Sequence, residues 1–165
     1  MFKKALSTLF ILLVVFNTNA GELVFLDINK AIQSSELSKD FMVGLQNDTA
    51  KEEKQVRDLE VQAKNIQADL EKSKGLNSTE ELKRKQMQFQ KVYGEYQKQG
   101  QALQQLRAQK EQAFIQGIRP KLDEVIKQLI QERQISVILN RQSAIYTEPG
   151  VDITADVVKK LNELK

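Results

Sequence analysis

From about Glu36 to Gln134 the chain contains a single strong turn signal, Gly75-Leu76-Asn77-Ser78. Lys, Glu, Gln, Ala and Leu dominate this stretch, and all of them favour helix. Gly75 suits the C-cap of one helix. Ser78, followed three residues later by Glu81, forms a capping box that starts another. Two long helices joined by so short a connection predict an antiparallel hairpin. Helices of ~30–40 residues reach on the order of 45–60 Å. A hairpin of that length cannot fold back into the remainder of a 165-residue chain, so it has to project as an arm.

The apolar spacing agrees. Val56, Leu59, Ala63, Ile66 and Leu70 alternate spacings of three and four, which is a heptad seam. Extended backwards, the seam meets Glu52, Thr49, Leu45 and Met42 and weakens. On the returning helix Leu82, Phe89, Tyr96 and Leu103 fall seven apart. Val92 and Leu106 occupy companion positions, while Lys85 and Gln99 make the seam polar in places. Gly94, Gly100 and Gly117 lie inside this helix and would soften it. Pro120 would bend or restart it where the arm meets its base.

Both ends of the chain look different from the middle. Leu23 to Ile28 is apolar on both faces and reads as a buried strand. A short helical turn follows over Asn29 to Ser35. Leu122, Val125, Ile126, Leu129 and Ile130 form a wide apolar stripe suited to a packed base. Ile135–Leu139 and Ala144–Thr147 read as two further short strands around a turn at Asn140–Ser143. A last helix starts near Thr154, capped by Asp152 or Thr154, with Val157, Val158, Leu161 and Leu164 on one face. The fold class is α+β. Residues 21–44 and 119–165 would build a small β-containing body, and 45–118 the arm, with its tip near 75–79. Three short strands bury too little surface to be stable alone, so the body is expected to oligomerise.

Residues 1–20 read as a cleaved secretory leader. Lys3 and Lys4 precede a mainly apolar run from Ala5 to Phe16, and small residues stand before a cut after Ala20. The apolar run is too short to span a membrane. The expected destination is a Gram-negative periplasm, with the protein soluble after cleavage. Without Lys3 and Lys4 the chain carries 23 basic and 22 acidic groups, so the overall basic excess nearly vanishes. The chain has no Cys, His or Trp. Disulfides, Cys or His metal sites, and Ser-His-Asp or Cys-His catalysis are therefore excluded. The scattered acidic residues gather no cleft for carboxylate catalysis. We expect no enzyme, no cofactor and no metal. The near-neutral charge also argues against nucleic acid as a partner.

Val24 to Ile32 (VFLDINKAI) and Asp152 to Val158 (DITADVV), the latter following Ala144-Ile145-Tyr146, resemble the OmpH-like (Skp) family of periplasmic chaperones. The order of leader, strand, helical hairpin, strands and terminal helix is similar to that family throughout. The resemblance implies a homotrimer whose strands form a central β body. Three arms would hang from it and hold unfolded outer-membrane proteins, without ATP, during transit. Val24, Leu26, Ile28, Val137, Ile138, Leu139 and Ile145 would then be the trimer-body residues. The arm seam would be Val56, Leu59, Ile66, Leu70, Leu82, Phe89, Tyr96 and Leu103. Met87, Tyr93 and Phe114, lying off the seam, are candidates for client contact, each by weak burial worth about a kcal/mol. Lys72, Lys74, Lys83, Arg84 and Lys85 give the tip a mild positive charge, which would suit weak contact with anionic lipid or lipopolysaccharide. A rival reading of the same features is an exported coiled-coil spacer or adaptor with one fixed partner.

Overall fold

A computed structural model of the protein describes residues 21–73 and 78–164. The leader over 1–20 and the proposed C-cap at Gly75 lie outside the described residues. Strand β1 (Glu22–Leu26) leads into a short helix α1 (Ile28–Ser34) and then α2 (Glu36–Ser73). After the tip come α3 (Thr79–Arg133), strand β2 (Ile135–Asn140), a single 3-10 turn (Arg141–Ser143) and the terminal helix α4 (Thr154–Glu163). The protein is α+β, with long helices and a small sheet.

Ser78 caps α3 as its sequence predicts, its hydroxyl accepting the Glu81 N–H at 3.3 Å. The helix then runs 55 residues without a break, about 82 Å at 1.5 Å per residue. Pro120 therefore neither ends nor restarts it. Its missing N–H deprives the Gln116 carbonyl of an i+4 partner, but both residues are exposed, so water can take the place of that bond. At its C-terminus α3 stops at Gln134, a non-glycine residue in the left-handed region (φ 55°).

β1 and β2 pair in parallel, with Leu23 opposite Val137, Val24 opposite Ile138 and Phe25 opposite Leu139. The whole hairpin is thus the crossover between two neighbouring strands. Gly21 immediately precedes β1 where the chain passes close to the start of β2: a Cβ there would lie 1.6 Å from the Ser136 hydroxyl oxygen. The strand ends earlier than its apolar pattern suggests. Ile28 belongs to α1, which Asp27 caps by accepting the Lys30 N–H at 2.9 Å.

Ala144–Thr147 is not a strand in the chain, contrary to its pattern. The second edge of β1 is already taken. The Phe25 N–H donates to the Val151 carbonyl (2.8 Å) and the Ile153 N–H to the Phe25 carbonyl (2.9 Å). Ile145 and Tyr146 consequently stand in solvent, 106% and 74% exposed. Gly150, at φ 92°, makes the turn that brings Val151 onto β1. Asp152 supplies the hydrogen bond expected at the start of α4, accepting the Thr154 N–H at 2.9 Å. Thr154 lies inside that helix and uses its own hydroxyl elsewhere.

The main buried cluster sits at the base. Val24, Leu26, Ala31, Leu122, Val125, Leu129, Ile135, Ile153, Val157 and Leu161 form one buried cluster. It joins one sheet face to α1, the last turns of α3 and the apolar face of α4. Beyond it, among the described residues, α2 and α3 pack on each other.

Candidate functional site: the hairpin arm and the exposed sheet face

The arm is held by an apolar seam interrupted by charge. Val56, Leu59, Ile66 and Leu70 on α2 are half-buried, as are Leu82, Phe89, Tyr96 and Leu103 on α3, and Ala63 is buried. At the base end Leu45 and Thr49 continue the seam. Met42 points to solvent, and Phe41 replaces it by stacking on Phe114, with ring centroids 4.4 Å apart and planes 10° from parallel.

Between these apolar stretches lies a polar layer. Arg107 on α3 pairs with Glu53 on α2. The buried Thr49 hydroxyl donates toward the same carboxylate at 2.8 Å, and Arg57 approaches its second oxygen at 3.4 Å. Hydrogen bonds from Thr49 and then Arg107 hold the Glu53 carboxyl below the usual carboxylate range, against a smaller opposing effect of desolvation. One turn closer to the base, Lys110 pairs with Asp48 at 2.6 Å. Near the tip Lys85 spans the helices to Asp69 and to the Ser73 hydroxyl, both at 3.0 Å. Lys85 is therefore tied into the seam rather than free at the tip. Of the remaining tip cations, Lys72, Lys83 and Arg84 are exposed, and Lys74 lies outside the described residues.

The off-seam candidates have distinct surroundings. Met87 is exposed. Tyr93 is partly exposed between Phe89 and Tyr96, at centroid distances of 5.5 and 6.0 Å. Phe114 is half-buried against Phe41. The two rings border a groove of about 350 Å³ with Gly44, Leu45, Asp48, Lys110 and Ala113. Val43, Val61 and Ile115 are further exposed apolar residues on the two long helices that lie off the heptad pattern, and Met42, although on its extension, is exposed too.

The sheet has two unlike faces. Val24 and Leu26 point into the chain's own core, and the partly buried Ile138 packs against it. The opposite face is apolar and uncovered. By register it carries Leu23 and Phe25 beside Val137 and Leu139, of which only Phe25 is less than 40% exposed. Ile28 and Ile145 are also exposed.

Behind this face an ionic hub closes the base. Arg133 binds the Glu22 carboxylate through Nε (3.0 Å) and a second guanidinium nitrogen, Asp156 at 2.9 Å, and the Gly150 carbonyl at 2.7 Å. It thereby joins β1, α3, the Gly150 turn and α4. These bonds hold the Glu22 carboxyl below its ordinary range, more than desolvation raises it. Burial pushes the Asp152 carboxyl upward, but hydrogen bonds from Thr154 and the nearby Arg141 charge outweigh it and leave the group lowered.

Among the described residues no group of three or more acidic side chains is placed to hold a metal ion, and no helix is long and apolar enough to cross a membrane.

Comparison with known proteins agrees with this architecture. A Skp-like protein of Pseudomonas aeruginosa is 21% identical over 144 residues, covering 87% of this chain and 86% of that protein. The crystal structure of an OmpH-like protein of Caulobacter crescentus, described as a candidate outer-membrane chaperone, shares the fold. Its TM-score is 0.65 at 21% identity, over 88% of this chain and 86% of that one. The model of the OmpH-like outer membrane protein family matches residues 22–161, from the first residue of β1 into α4. The match takes in both strands, the arm and nearly all of the base, and the chain belongs to the OmpH-like outer membrane protein family.

Proposed function

We propose that the protein is an ATP-independent periplasmic holdase. It acts as a homotrimer that binds unfolded outer-membrane β-barrel proteins between three arms and keeps them from aggregating. One observation carries the reading: a long helical arm stands on a small base whose outer sheet face is apolar and uncovered. Four adjacent apolar side chains on one sheet face are what a second copy would cover. Ala144–Thr147, strand-like in pattern but without a partner in the protomer, would find one in the same assembly. In this arrangement residues 21–44 and 119–165 form the body, 45–118 the arm, and 1–20 the leader removed on export.

Clients would be held by many weak contacts. Tyr93, Phe114 and Met87 each offer part of an apolar surface, at ~25 cal/mol per Å² buried. No single contact would be strong, which suits a protein that must also release its client. Lys72, Lys83 and Arg84 would add weak, salt-sensitive attraction to anionic lipid or lipopolysaccharide.

The test is direct. An outer-membrane β-barrel protein unfolded in urea is diluted into buffer with and without the purified chain, and light scattering is followed. Suppressed scattering near three protomers per client supports the reading, and undiminished scattering rejects it. A pull-down separates the adaptor alternative, because an adaptor would retain one partner and a holdase many unrelated barrel proteins.

A further inference from the structure

The two arm helices are attached to the base in unlike ways. α3 runs into it as one continuous rod, and Leu122, Val125 and Leu129 bury themselves in the core with Val157 and Leu161 of α4. α2 arrives by a sharp corner. Ser35, fully buried and extended (φ −72°, ψ 150°), separates it from α1. The Ser35 hydroxyl donates to the Ile32 carbonyl (2.7 Å) and accepts the Ser38 N–H (3.2 Å).

Besides local backbone bonds from the Ser35 N–H to the Ile32 carbonyl and from the Lys39 N–H to the Ser35 carbonyl, two bonds on either side of α1 come from the far end of the chain. Asn162 on α4 accepts the Glu36 N–H, the first of α2, at 2.8 Å. Thr154, at the other end of α4, accepts the Asp27 N–H that precedes α1, at 3.0 Å. Thr154 and Asn162 are about 12 Å apart along their helix, so α4 lies beside α1 and grips the chain before and after it. The first N–H groups of a helix have no partner within it, and a fixed side-chain acceptor therefore fixes the helix's starting direction.

We propose that Asn162 is a positioning residue that sets the inclination of the arm, with α4 acting as a clasp on the foot of α2. Releasing the Glu36 N–H would free α2 at its corner and leave α3 to bend alone where Gly117 and Pro120 weaken it. In a client-enclosing assembly this would widen the distribution of arm positions. Only that consequence rests on the holdase reading. The geometric claim stands apart from it and is tested without a client.

The chain has no cysteine, so labels can be placed cleanly. Spin labels at Lys127→Cys, on exposed base, and Gln67→Cys, on the exposed arm, report inclination. A second pair at Gln67→Cys and Gln88→Cys reports the arm's own integrity. Labelled chains are diluted with unlabelled protein so that only distances within one chain are read. Asn162→Ala should broaden the base-to-arm distribution and leave the arm-internal one unchanged. Amide exchange at Glu36 should rise about fivefold, as expected for loss of one hydrogen bond. Asn162→Asp, which keeps the acceptor, should restore both. An unchanged base-to-arm distribution in Asn162→Ala, equal broadening of the arm-internal pair, or failure of Asn162→Asp to restore would each overturn the proposal.

Discussion

Gln134 shows how one residue serves two structures. It ends α3 in a left-handed conformation while its carbonyl accepts the first β1 amide, from Glu22, at 3.0 Å. An L-residue there is strained by roughly 1–2 kcal/mol, and glycine avoids that strain at an entropic cost of roughly 0.5–1 kcal/mol. Gln134→Gly should therefore be neutral to stabilising, by up to about 1 kcal/mol in urea unfolding, and a clear loss would mean that the side chain matters more than the turn. Arg133, its neighbour, gives a pH signature. Because the folded Glu22 carboxyl is held below its unfolded value, its contribution is present above the unfolded pKa and is lost as pH falls through the folded one. Glu22→Gln should melt below the parent at pH 7. The difference should close as the pH drops through and below the ordinary Glu range, about 4.3. A Tm gap independent of pH would show that packing, not charge, is what Glu22 contributes.

The helices were the most readable elements because their signals are local. The Ser78–Glu81 capping pair and the three-four spacing of Val56 to Leu70 involve neighbours in sequence; the Ser78 hydroxyl does accept the Glu81 N–H, and the spaced residues are buried or half-buried within α2. The polar layer was missed because Glu53 and Arg107 are 54 residues apart. Yet hairpin geometry could have found it: Asp69 with Lys85, Glu53 with Arg107, Asp48 with Lys110 and Phe41 with Phe114 all lie nearly equidistant from the turn. Charged pairs within an otherwise apolar seam fix its register, since sliding either helix would leave a carboxylate against leucine. Pro120 misled for a related reason: helix-breaking rules weigh the backbone alone, and here packing of Ile118, Leu122 and Val125 carries the helix through. The arm glycines make a separate prediction. A Cβ at Gly94 or Gly100 would meet nothing within 4 Å. Gly94→Ala and Gly100→Ala should each stabilise the arm by about 0.5–1 kcal/mol, seen as slower amide exchange across residues 90–104. Slower client uptake by the same variants would show that arm softness has a use, and unchanged uptake would make these glycines incidental.

For the molecule as a whole, the strands were the part that sequence rendered least well. Short apolar runs placed β1 and β2, but could not say which sheet face turns inward or whether Ala144–Thr147 has an edge to join. Those answers depend on partners far away in the chain or outside it. Val24 and Leu26 face the chain's own core, which leaves Leu23, Val137 and Leu139 as the surface that the proposed assembly would cover. The two sets should respond differently to charge. Val137→Asp or Leu139→Asp should keep the helical circular dichroism and sediment as a monomer. Val24→Asp, which buries an unpaired charge, should lose the folded base altogether. Retention of three times the monomer mass by the first pair would remove this face from the assembly. The parallel pairing of β1 with β2 has one more consequence, in the order of events. The first strand cannot find its neighbour until nearly the entire chain has been made, so the closing contact has very high sequence separation and is slow to form. The hairpin, by contrast, zips from its own turn using nearby partners. The arm would thus exist before the base does, and a nascent chain would carry its long helices while its anchoring sheet was still open.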